Sequence, residues 1–153
     1  MAASAGIFAR ESRVLDRYVQ IGLAQGRVLS VTFPNEPDPE AGDDHEILDR
    51  IESYLDGERE TFEDVTVAMT MPTHQREVLE AVTQIPYGES ASLDQLTRMV
   101  PDRDPDEEDD RRAVREALAE NPTPLLIPTH RVRGGPETAP ADVEATLRSI
   151  EGL

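Results

Sequence analysis

Cysteine and lysine are both missing from this chain, and each absence removes a class of explanation. Without cysteine there is no disulfide, no thiolate metal site and no thiol nucleophile. Without lysine, all 15 basic residues are arginines, set against 32 acidic residues for a net charge of −17. No apolar run approaches the ~20 residues of a membrane span, and the first residues lack the charged-then-apolar pattern of a secretory signal. A cytoplasmic protein with no membrane partner is the expectation.

Acid excess without lysine, spread along the whole chain, is the pattern of a protein that works in molar salt. There the screening length falls to about 3 Å, and self-repulsion costs little. An acidic binding module at ordinary salt would more often gather its acids into a tail. At low salt this charge would argue against a nucleic-acid partner, since phosphates would be repelled. In molar salt that argument weakens, and charge alone does not choose the partner.

The 153 residues suffice for one ordinary domain or two small ones sharing a core. Residues 18–33, YVQIGLAQGRVLSVTF, alternate around Gly26 as a β-hairpin. Val19, Ile21 and Leu23 should share one face of its first strand, and Leu29, Val31 and Phe33 one face of its second. After a proline-rich loop, DDHEILDRIESYLDG predicts an amphipathic helix on Ile47, Leu48, Ile51 and Leu55, capped by Asp43 or Asp44 and ended by Gly57. A short strand is expected between Phe62 and Ala68.

From Pro72 the pattern turns helical. PTHQREVLEAVTQ would bury Val78, Leu79 and Val82, with Pro72 in the first turn. Ser92 and Gln95 form a capping box for a short helix through Met99. EDDRRAVREALAE is a second helix, LLI a short buried strand, and PADVEATLRSIEGL a closing helix on Val143, Leu147 and Ile150. The boundary falls near residue 70, giving a small α/β unit over 1–70 and a mainly helical one over 71–153. The two middle helices are compatible with a helix-turn-helix, whose second helix would carry Arg111, Arg112 and Arg115 to DNA. By spacing alone the same arginines also read as a solvated, ion-paired face. His45, His74 and His130 lie in unrelated contexts with no helix-spaced pair, so no metal and no cofactor is expected.

PLLIPTHRVRGG places a hydroxyl beside an imidazole at Thr129 and His130. Together with IPYGES, RAV and NP, in that order and spacing, this segment resembles the O6-alkylguanine-DNA alkyltransferases, whose active-site motif is PCHRV. The resemblance is strong over residues 72–133 and loose before them. It implies a small α/β unit followed by an alkyltransferase domain built on a winged-helix-like helix-turn-helix. Such proteins bind the DNA minor groove, swing out an alkylated guanine and move its alkyl group to cysteine.

On that resemblance Arg112 is the arginine finger that fills the gap left by the flipped base, and Asn121 is the asparagine of the NP hinge. His130 is the histidine that activates the thiol, Glu151 its glutamate partner, and Arg131 the arginine of the motif. Arg111, Arg115, Arg131, Ser92 and Leu93 join Arg112 as candidate DNA contacts.

The departures bear directly on chemistry. The acceptor cysteine is Thr129. Dealkylation needs a soft thiolate, and a threonine hydroxyl is far harder to ionise and is hindered. A methyl moved to it would form an ether with no step to release it, so the degenerate site at Thr129, His130, Glu151 and Asn121 is expected to be inactive. Leu93 stands where the family has a tyrosine, Arg115 and Glu116 where it has glycines, and Glu144 where it has a lysine. The segment after THRV is shorter than in typical members.

Three readings stay open at this stage. The first is an alkyltransferase-like protein, a monomer without cofactor, that binds double-stranded DNA at O6-alkylguanine and flags it to nucleotide excision repair proteins. The second is a DNA-binding or regulatory protein without lesion specificity. The third is an interaction module that keeps the fold, with His130 and Glu151 as a buried hydrogen-bonded pair.

Overall fold

The expected hairpin is present in the computed structural model, which describes residues 4–153, as β2 (Arg17–Ala24) and β3 (Arg27–Thr32). A strand that the sequence pattern does not announce, β1 (Gly6–Ser12), pairs antiparallel with the other edge of β2. Val19, Ile21 and Leu23 all point into the core, as alternation requires. Leu29 does not. It is 45% exposed while Val28 is fully buried. The cause is a bulge: Gly22 pairs with Ser30 but Leu23 pairs with Val28, so Leu29 is the unpaired extra residue and β3 changes face there.

Helix α1 (Glu46–Leu55) lays Ile47, Leu48, Ile51, Tyr54 and Leu55 on this sheet. Its cap is His45 rather than Asp43 or Asp44: Nδ1 of His45 accepts from the Ile47 amide at 3.1 Å. The strand expected between Phe62 and Ala68 is reduced to a single parallel bridge, with the Val28 amide donating to Thr66 and the Ala68 amide to Val28. Phe62 has φ +58, which an extended strand does not allow.

A second core joins α2 (Thr73–Val82), α3 (Leu93–Met99) and α4 (Glu108–Ala119) through Val78, Leu79, Val82, Leu96, Val114 and Leu118. Pro72 is the N-cap of α2, just outside its first turn. The capping box of α3 forms as its sequence predicts, with Ser92 and Gln95 each satisfying the other's backbone amide. Chain exit from the motif pairs β4 (Ala91–Ser92) with β5 (Val132–Arg133) in parallel. Helix α5 (Ala141–Glu151) closes the chain on Val143 and Leu147. Among the described residues no helix is long and apolar enough to cross a membrane.

The segment read as an LLI strand is a turn. Leu125 has φ +80, and the Ile127 amide donates to the Thr123 carbonyl at 2.9 Å. A leucine in that region costs about 1–3 kcal/mol and persists only where its surroundings insist on it. They do: Leu125 and Leu126 are buried in the first core, and Ile127 and Val132 in the second. The 3-10 turn that follows, Thr129–Arg131, is clamped at the junction of the two cores.

Candidate functional site: a buried histidine–glutamate–arginine network beside a capped threonine

Everything in the motif turn is inside the protein. Thr129, His130 and Arg131 are 4%, 3% and 8% exposed. Their polar groups must therefore find partners in the fold.

Glu151, at the last turn of α5, has a side chain with no exposed surface and collects four donors. His130 Nε2 lies 2.6 Å from Oε2, Arg131 Nε donates to Oε1 at 2.7 Å, the Gly88 amide donates to Oε1 at 3.0 Å, and the Tyr54 hydroxyl donates to Oε2. Burial pushes this carboxyl up, but the bonds from His130, Arg131, Gly88 and Tyr54 outweigh it and hold the group at about 2. The Tyr54 phenol moves the other way, raised by burial and then by the neighbouring carboxylate. Arg131 also donates Nη1 to the Ile85 carbonyl at 2.8 Å and stacks its guanidinium 5.7 Å above the Tyr87 ring. Four segments meet on one carboxylate: α1, the Ile85–Gly88 turn, the motif turn and α5.

Asn121 holds the other flank. Its Nδ2 donates to the Ile127 carbonyl at 3.0 Å and to Thr129 Oγ1 at 3.2 Å, and its Oδ1 accepts from the Thr123 amide at 3.0 Å. Thr129 Oγ1 sits 2.7 Å from Oγ1 of Thr138. No hydrogen bond joins Thr129 to His130. The imidazole is engaged on Glu151 through Nε2, with the Tyr54 hydroxyl 3.4 Å from the same nitrogen, and Nδ1 is buried without a partner among the described residues. A general base must reach the proton that it removes. Here the hydroxyl and the imidazole face different partners.

The structure brings Thr129, His130, Arg131, Asn121 and Glu151 together. It separates Arg131 and Leu93 from any surface role. Arg131 is spent on Glu151 and Ile85, and Leu93 is 8% exposed within the helical core, so neither offers a group to DNA. Ser92 spends its hydroxyl on the α3 cap.

On α4, Arg111 pairs with Glu108 and donates to the Pro105 carbonyl, while Arg112 lies 3.6 Å from Asp109 with 59% of its side chain exposed. Arg103 pairs with Asp110 at 2.7 Å and also meets His74. Three residues of the site escaped the sequence reading. The only signal for Tyr54 is its place on the apolar stripe of α1. Thr138 carries no signal. Glu144 shows only as a departure, yet it is 3% exposed and accepts the Thr138 amide at 3.0 Å.

A cavity of about 390 Å³ lies beside the motif, lined by Ser90, His130, the Gly134–Glu137 segment, Glu144 and Arg148. Thr129 does not line it. Placing a cysteine at 129 would set its sulfur against Thr138 and Asn121, away from the imidazole. Thr129→Cys is therefore expected to leave transfer of a methyl group from O6-methylguanine at background in a single-turnover assay. Robust transfer would show that the pocket reopens unaided.

Comparison with known proteins agrees with this architecture. A family model described as the DNA-binding domain of 6-O-methylguanine DNA methyltransferase matches residues 73–141. A methylated-DNA–protein-cysteine methyltransferase of Archaeoglobus fulgidus is 31% identical over 120 residues, 78% of this chain and 76% of that one. The O6-methylguanine methyltransferase of Mycobacterium tuberculosis superposes with a TM-score of 0.73 at 20% identity, covering 95% of this chain and 93% of the other. A structure of OGT from the same organism in complex with DNA gives 0.67 at 20% identity, covering 92% and 98%. With the family model and these relatives in agreement, this chain belongs to the methylated-DNA–protein-cysteine methyltransferase family, as a member that contains no cysteine.

Proposed function

We propose that this protein is a non-catalytic, alkyltransferase-like DNA-binding protein that recognises O6-alkylguanine, leaves the alkyl group in place and marks the site for repair proteins. One observation carries the reading. The Glu151 carboxylate is buried and bonded to His130 and Arg131, while the residue that would accept the alkyl group is a hydroxyl spent on Thr138 and Asn121. The framework that shapes the site is kept and the nucleophile is not.

The double-stranded DNA partner is drawn from the family's DNA-binding domain over residues 73–141 and the DNA complex of a structural neighbour. Arg112 is the proposed finger. Its pairing with Asp109 is exposed, and such pairs are worth about 0–1 kcal/mol, so a phosphate or a base can displace it at little cost. The acids on the first turn of α4 favour the third reading, an interaction module that keeps the fold, because Glu108 and Asp109 would approach phosphates.

The test is binding of a short duplex with one O6-methylguanine against its guanine twin, in molar potassium chloride. Tighter binding to the lesion with the methyl retained is expected, and equal binding would leave only a plain DNA binder. Arg112→Ala should weaken the complex by about fivefold to tenfold, the equivalent of ~1–1.4 kcal/mol. Unchanged affinity would remove Arg112 from the finger role.

A further inference from the structure

We propose that Thr129 serves this site as a hydrogen-bond donor latched shut by Thr138, so that the base it admits must bring an acceptor oxygen where Thr138 now stands. The inference rests on the reading of the site as a base pocket and assigns the chemistry of the base edge within it.

The direction of the bond follows from the partners. Asn121 Oδ1 accepts from the Thr123 amide and its Nδ2 faces the Ile127 carbonyl, which fixes the orientation of the amide. The remaining Nδ2 proton therefore goes to Thr129 Oγ1, making that oxygen an acceptor from Asn121. Thr129 is 4% exposed and has no second acceptor in reach but Thr138. A buried hydroxyl proton left unmade is costly, so Thr129 donates to Thr138. Thr138 is half-buried and can turn its own proton to water.

Thr138 is held in place from two directions. Its hydroxyl takes the Thr129 proton, and its amide donates to the buried Glu144 carboxylate at 3.0 Å. Gly135, in the same segment, packs where an added Cβ would lie 3.4 Å from Leu118 and from Val132. Gly134 takes φ +80, the left-handed conformation that lets the chain turn back over the motif. The far side of the segment faces the 390 Å³ cavity. The wall has room behind it, and Thr129 lies sealed in front.

A ligand that displaces Thr138 inherits its bond. It must accept the Thr129 proton, since a ligand that donated to the oxygen instead would leave that buried proton without a partner. A purine with oxygen at its sixth position meets that demand. A purine with an amino group at that position does not, and it would leave the Thr129 proton unpaired in a buried site. Discrimination against such mismatched donors is typically large because both sides lose a partner.

Three duplexes test this in molar salt, each opposite cytosine: guanine, O6-methylguanine and 2,6-diaminopurine. The last two both pair poorly with cytosine, which keeps the cost of extruding the base comparable. The wild-type protein is expected to bind the O6-methylguanine duplex about tenfold tighter than the diaminopurine duplex. Thr129→Val should erase that difference. Thr138→Val, at a half-buried position that tolerates change, should raise lesion affinity severalfold and keep the difference, because the latch no longer has to open.

Exchange of the Thr138 amide should quicken in both variants, and no further in the pair combined, since each removes the same bond. Equal binding of the methylguanine and diaminopurine duplexes, with both preferred over guanine, would sink the donor assignment and leave the lesion-sensing role standing. Equal binding of all three would overturn both. Unaltered amide exchange in Thr129→Val would overturn the latch.

Discussion

Glu151→Ala is expected to cost about 3–5 kcal/mol of stability, the usual penalty for breaking a buried ion pair from one side. The carboxylate is the common acceptor of His130, Arg131, Tyr54 and the Gly88 amide, and its loss strands a guanidinium that is 8% exposed. Denaturant titration in molar salt reads the loss directly. Tyr54→Phe removes one hydrogen bond and leaves the charge pair, so its cost should stay near 1 kcal/mol. Equal costs for the two variants would show that packing of α5, and not the charge network, holds the junction.

The same group sets an acid limit. Its carboxyl sits at about 2 in the folded protein, below the ordinary value of 4.5. A depressed carboxyl adds stability that is fully present above the unfolded value and is lost as pH falls through the folded one. The window is therefore about pH 4.5 to 2, and the contribution at neutral pH is on the order of 3 kcal/mol. Glu151→Gln should flatten the pH dependence of stability across that window. A wild-type slope retained in the glutamine variant would place the acid sensitivity elsewhere.

Removing salt should produce the other large effect. With 32 acids against 15 arginines, most carboxylates have no cation of their own. Two of the pairing arginines are already shared among several acids. Arg10 meets Asp49 at 2.6 Å and Glu52 at 3.1 Å, and Arg50 meets Glu60 at 2.6 Å and Asp64 at 2.8 Å. Moving from molar salt to dilute buffer lengthens screening from about 3 Å to 10 Å or more, so unpaired acids begin to feel one another across the surface. Loss of about 5 kcal/mol, the lower end of a typical domain's margin, would lower the melting temperature by roughly 10–20 °C. Thermal melts across a potassium chloride series measure this. A melting temperature independent of salt would remove the case for adaptation to high salt.

Much of the fold is written locally. The Ser92–Gln95 cap of α3, the apolar stripe of α1 and the inward faces of α2, α4 and α5 all follow from residues within a few positions of one another, and local rules decide them. What failed depended on partners far along the chain. Leu29 is turned outward by a bulge between two strands. Leu125 is forced out of strand geometry by cores on both sides, and His45 takes the α1 cap from two aspartates with its ring against Phe8.

The site divides along the same line. Order and spacing of the motifs around Thr129, His130 and Asn121 pointed to the family, and the missing cysteine determined that the chain holds no thiol to act as an acceptor. Only the tertiary structure decided what these residues do instead. It kept His130 off Thr129, drew Tyr54 into the network from α1, buried Arg131, and brought Thr138 and Glu144 over the hydroxyl. A hydrogen bond depends on where two side chains meet in space, and residues 54, 88, 131 and 151 meet only after both cores have packed.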